Sequence, residues 1–89
     1  MANIASQIKR NRQNEKARMR NQAIRSEMKT KIRRTLEAAE SGDTDAARAH
    51  LRAAQSSIDI ALTKGVLHIK TAARRKSRLT SQVERLLGS

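Results

Sequence analysis

Three glycines, at positions 42, 65 and 88, are the only breaks in a chain otherwise dominated by helix formers, and no proline interrupts the stretches between them. Glycine is the preferred residue just past a helix C-terminus, where the backbone turns left-handed. Ala, Arg, Lys, Leu, Gln and Glu fill the intervals. No alternating apolar and polar run signals a strand. The 89 residues therefore read as one all-α domain, with helices over about 4–41, 44–64 and 67–87. Asp43 is placed to cap the second helix, and Asp45 falls in its first turn, where the helix dipole favours negative charge. The short link around Gly65 and Val66 makes the last two helices antiparallel neighbours in a three-helix bundle.

The lengths do not match. At the usual rise the first helix spans about 57 Å and the others about 30 Å each, so half of the first has no partner within the chain. The apolar stripes identify that half. Ile24, Met28, Ile32, Leu36 and Ala39 share one face of the first helix. Ala47, Leu51, Ala54, Ile58, Ala61 and Leu62 do so in the second, and Val66, Ile69, Ala73, Leu79, Val83 and Leu86 in the third. Residues 9–18 carry no large apolar side chain, and Ile4, Ile8 and Met19 are out of phase with the Ile24–Leu36 stripe. The N-terminal half of the first helix is thus expected to project as a basic arm from a thin, alanine-rich core, and to gain order when it meets a partner.

Charge then indicates the partner. Of 20 Lys/Arg and 8 Asp/Glu, residues 1–36 hold 11 basic and two acidic, and residues 64–89 seven basic and one acidic. The stretch between them holds two basic and five acidic residues. Two cationic blocks at net charge +12 repel themselves unless a polyanion neutralises them, and nucleic acid does so with release of counterions. In the first helix Lys9, Arg12, Lys16 and Arg20 form one row, continued by Lys31 and Arg34. Arg18, Arg25, Lys29 and Arg33 lie on another side, and Arg10 adds to the arm's charge. Such two-sided charge suits a rod surrounded by phosphates. Asn11, Gln13, Asn14, Asn21 and Gln22 interleave as donors to phosphate, ribose or base edges. In the third helix Lys70, Arg74 and Arg78 recur every four residues opposite the apolar stripe, Arg85 extends them, and Arg75 sits to one side. Arg can bridge phosphate oxygens with its planar fork. Lys76 falls within the stripe itself. Either its stem packs while its amine reaches water, or the stripe breaks there because RNA lies opposite. His68, at the start of the last basic block, is a candidate for a phosphate or base-edge hydrogen bond, or simply for the helix start.

Several classes are excluded or disfavoured. Without Phe, Tyr or Trp the chain lacks the usual platforms for single-stranded bases, which points to folded, double-helical nucleic acid. His50 and His68 are too far apart for a helical metal-ligand pair, and cysteine is absent. No catalytic constellation or phosphate-cradling glycine loop appears, so neither an enzyme, a metal, a cofactor nor a small-molecule substrate is expected. No stretch approaches the roughly 18 apolar residues of a membrane span. A DNA-compacting or regulatory helical protein is the alternative to an RNA binder on these grounds. A membrane-active helix and a coiled-coil scaffold fit less well, because the arm is too polar and the stripes are too short.

Particular segments sharpen the choice. The start Met1-Ala2-Asn3-Ile4, the run Glu15-Lys16-Ala17-Arg18-Met19-Arg20-Asn21 and the Gly42-Asp43 turn followed by Ala46-Ala47 are three of them. Lys64-Gly65-Val66-Leu67-His68, leading into Thr71-Ala72-Ala73-Arg74-Arg75-Lys76-Ser77-Arg78-Leu79, is the most distinctive. Over essentially its whole length the chain resembles protein number twenty of the bacterial small ribosomal subunit. The resemblance implies a three-helix bundle that binds 16S rRNA early in assembly, low on the body of the subunit. The implied contacts are the 5′ domain and the long stem near the 3′ end. It also implies a cytoplasmic ribosome, or a plastid one, and adds Lys64 and Thr71 to the rRNA-binding candidates. The family commonly has Lys-Asn after the histidine, where this chain has Ile69 and Lys70; Ile69 is accordingly expected in the core, with Lys70 taking over the polar contact.

Overall fold

The structure, a computed structural model, describes residues 4–88, with side chains described from Lys9 onward. Met1, Ala2 and Asn3 of the opening motif, and the side chains of Ile4 and Ile8, lie outside the described residues. Three helices account for nearly all of the rest: α1 (Ile4–Glu40), α2 (Thr44–Thr63) and α3 (Ile69–Gly88). No strand occurs among the described residues.

Both turns form where the glycines require. Gly42 has φ +78° and Gly65 φ +75°, and among the described residues no non-glycine residue has positive φ. At the end of α1, Gly42 N–H donates to Ala39 O (3.1 Å) and Asp43 N–H to Ala38 O (3.2 Å). At the end of α2, Gly65 N–H donates to Leu62 O (3.1 Å) and Val66 N–H to Ala61 O (2.8 Å). Each is a Schellman motif, in which a left-handed residue lets two later amides satisfy orphan carbonyls of the last turn. Asp43 then caps α2 by accepting from Ala46 N–H at 3.1 Å. Gly88 behaves differently: it is the last residue of α3 and not a left-handed cap after it.

The core holds two buried clusters stacked along the bundle. Met28, Ile58, Ala61, Val66 and Ala72 form one; Ala39, Ala47, Ala54, Leu79 and Val83 form the other. Half-buried Ile32 packs against both. Ala39, Ala47, Ala54 and Ala61 are at most 1% exposed, and these small side chains let α1 and α2 approach closely. The stripes expected on α1 and α2 are thus the ones that pack. Beyond them α1 continues alone. Every residue from Lys9 to Arg20 is exposed, Met19 at 63%, and the molecule extends 66 Å along its longest axis but only 22 and 13 Å across.

The third helix differs from expectation in start and phase. It begins at Ile69, two residues later than predicted. Leu67 N–H also donates to Ala61 O (3.2 Å), so Val66 and Leu67 fold inward as part of the turn. His68 then caps α3: its Nδ1 accepts from Lys70 N–H (3.2 Å) and its carbonyl from Ala72 N–H (2.9 Å). Val66 is in the core, but from a non-helical position, so it carries no information about which face of α3 is buried. The buried face is Ala72, Leu79 and Val83. Ile69 is 63% exposed and Ala73 is exposed; neither belongs to the core as expected. Leu86, 36% exposed, yields its place to half-buried Leu87.

Candidate nucleic-acid interface

The arm presents its cations without a packed neighbour. Lys9, Arg10, Arg12, Gln13, Lys16, Arg18 and Arg20 are all exposed, because this half of α1 carries no apolar stripe to bury. Asn21 marks the junction. It is half-buried, and its Oδ1 is buried without a hydrogen-bond partner. Past it, Arg25, Lys29 and Arg33 remain exposed on the outer side of α1 while Ile24, Met28 and Ile32 face inward. Some charge is neutralised locally: Arg18 lies 4.0 Å from Glu15, Lys31 3.2 Å from Glu27 and Arg33 3.7 Å from Glu37. Exposed pairs one helical turn apart contribute only about 0.3–0.5 kcal/mol, so they orient these cations without holding them.

On α3 the cationic row stands opposite the core. Lys70, Arg74 and Arg78 are exposed, while Ala72, Leu79 and Val83 on the far side of the same helix are buried. The same spacing that buries one face delivers the other to solvent. None of these three cations forms a salt bridge with a described residue. Ser77 and Ser81 lie among the arginines of that open face, and their hydroxyls add donors. The sequence singled out neither serine, although spacing of one helical turn from Arg74 and Arg78 would have suggested both.

The two flanks of α3 diverge. One faces α2: Gln55 Nε2 donates to Thr80 Oγ1 (3.1 Å), and Lys76 Nζ donates to Asp59 Oδ1 (2.9 Å). Lys76 is therefore half-buried with its amine at the surface of the α2–α3 seam, the packed-stem arrangement of the two considered. The other flank, with Thr71 and Arg75, faces α1 across a groove that Ile32 and Gln82 also line. Lys64, exposed at the end of α2, and His68, exposed at the start of α3, bracket the turn between them. With His68 Nδ1 accepting, the ring proton sits on Nε2, so the side chain serves the helix start and still offers an outward donor. The structure thus brings Lys70, Thr71, Arg74, Arg75 and Arg78 to one side of α3 and leaves the arm residues spread along a separate rod.

Among the described residues no group of three His, Cys, Asp or Glu could hold a metal ion, and no helix is long and apolar enough to cross a membrane. A family model described as ribosomal protein S20 matches residues 2–84. The chain belongs to the ribosomal protein S20 family. Its relatives include small ribosomal subunit protein bS20 of Corynebacterium glutamicum strain R, 56% identical over 86 residues that cover 97% of this chain and 99% of the relative. The protein of the same name from Streptomyces avermitilis is 53% identical over 88 residues, covering 99% of this chain and 100% of the relative. That from Thermobifida fusca is 51% identical over 86 residues, 97% of this chain and 94% of the relative. The family match spans the described arm, both turns and most of α3.

Proposed function

We propose that this chain is a structural component of the small ribosomal subunit in the bacterial cytoplasm, that it binds folded 16S rRNA directly, and that it has no enzymatic role. The observation that carries the reading is the placement of Lys70, Arg74 and Arg78 opposite the buried face of α3, none of them forming a salt bridge with a described residue. Together with the exposed cations of the arm, this gives one body two cationic surfaces. Such a body neutralises phosphates of several RNA helices that otherwise repel one another. The proposed contacts are the 5′ domain and the long stem near the 3′ end. Arg74, Arg75, Arg78, Lys70, Thr71, Lys64 and His68 would act from the bundle, and Lys9, Arg10, Arg12, Gln13, Lys16, Arg18, Arg20, Arg25, Lys29 and Arg33 from α1. Asn21 would contact RNA at the junction through its exposed edge.

The test is competition at about 150 mM salt, where non-specific binding is weak. Folded 16S rRNA is expected to retain the protein against a large excess of generic duplex DNA, and the endogenous protein to co-sediment with small subunits. Equal affinity for the DNA would favour a DNA-compacting protein instead.

A further inference from the structure

The groove between α1 and α3 has a volume of about 380 Å³. Half-buried Ile32 and buried Leu79 give it an apolar floor, and Thr71, Arg74, Arg75, Arg78 and Gln82 stand around it. We propose that this groove receives one unstacked nucleotide of the bound RNA, with its base between the apolar floor and the guanidinium planes; the inference rests on the RNA-binding reading above.

Three features single out that occupant. First, charge: the groove is lined by Arg74, Arg75 and Arg78 and by no acidic residue among those described, and none of the three forms a salt bridge with a described residue, so the occupant is anionic. Second, shape: a phosphate held on an arginine fork needs no hollow and gains nothing from Ile32. A nucleobase has an apolar face that favours the floor, and polar edges that Thr71 and Gln82 can meet as both donors and acceptors. A hollow of this size is at the small end of the roughly 300–1,000 Å³ of small-molecule sites, which suits one nucleotide. Third, chemistry: the chain has no Phe, Tyr or Trp, and arginine guanidinium planes are the other surface on which proteins stack extruded bases. The chain that lacks aromatic platforms thus has a cationic substitute for one.

The experiment uses the full-length protein bound to bacterial 16S rRNA. A Gln82→Cys variant carrying a tethered iron–EDTA group cleaves RNA next to the groove and locates the neighbouring nucleotides. Base-specific chemical probing then compares the wild-type complex with Gln82→Trp, which fills the groove, and Arg75→Lys, which keeps the charge but loses the plane. One unpaired base near the tether should be protected by the wild type and become reactive with either variant. Each variant should weaken binding roughly 5- to 150-fold, the range set by loss of one stacked base, with the salt dependence unchanged. Circular dichroism checks the fold, and exposed Arg75 carries the test if Gln82→Trp loses helix. Unreactive, fully paired nucleotides around the tether, or wild-type affinity in Arg75→Lys, would overturn the proposal in favour of phosphate contact alone. A tether that cleaves no RNA in a stable complex would overturn it too, and leave the groove to an acidic peptide. Failure of the wild-type protein to bind 16S rRNA would instead remove the RNA-binding reading, and this one with it.

Discussion

Lys76 Nζ donates a 2.9 Å hydrogen bond to Asp59 Oδ1, joining the middle of α3 to the last turn but one of α2. The lysine's charge thus already has a protein partner across a helix seam. Lys76→Met should leave rRNA affinity within about twofold and the salt dependence unaltered if the ammonium stays on Asp59 in the complex; a lower salt slope would assign it a phosphate. The pair is partly exposed, so Asp59→Asn should cost less than about 1 kcal/mol of stability in a denaturant titration.

The exposed row of α3 should respond in the opposite way. Arg74→Gln with Arg78→Gln removes two cations from a face that supports no packing. Helix content by circular dichroism should stay at the wild-type level. The slope of log affinity against log salt should fall by about two, roughly one for each phosphate no longer neutralised. An unchanged slope would mean that this row is solvated surface.

Gly65 tests the turn between α2 and α3. An added Cβ would meet nothing within 4 Å, so any cost of Gly65→Ala comes from the backbone alone at φ +75°. About 1–2 kcal/mol is expected, read as a fall in Tm of about 4–8 °C per kcal/mol. Gly65→Asn should cost less, since asparagine tolerates the left-handed region better.

His68 separates capping from RNA contact. His68→Ala removes the acceptor for Lys70 N–H and should destabilise the bundle by about 0.5–2 kcal/mol. His68→Asn restores a capping side chain and should recover most of that stability. If rRNA affinity stays low in His68→Asn after stability has recovered, the outward edge of the ring contacts RNA as well.

Removing residues 1–20 should leave α2, α3 and the rest of α1 folded, because no residue from Lys9 to Arg20 is buried. The truncated protein should melt cooperatively and bind rRNA with a weaker salt dependence. Loss of helical signal throughout would show that the arm supports the bundle.

Local chemistry made much of this protein legible in advance. The glycines announced the two turns because only a residue without Cβ enters the left-handed region cheaply. The Ile24–Leu36 and Ala47–Leu62 stripes were readable because both lie wholly inside regular helices, where spacing alone sets direction. The row Lys70, Arg74, Arg78 was readable for the same reason. Ile69 and Ala73 lie outside the core because Val66 packs from a turn and not from α3, so spacing counted from it does not mark the buried face; Leu79 and Val83, set by the spacing within α3, are buried as expected. Lys76 stayed ambiguous in the linear chain because its partner, Asp59, lies on another helix.

What the residues determined unaided was helix content, the order of elements, the free arm and the cationic character of its surfaces. These follow from propensity, periodicity and charge, all of which act within a few residues along the chain. The tertiary structure alone decided where α3 starts and that Ala72, not Ile69 or Ala73, completes its inward face. It also decided that Lys76 serves a seam, and that Ile32 and Leu79 meet beneath arginines in a groove. Each of these depends on how one helix sits against another, and spacing along a single strand of sequence carries no record of that.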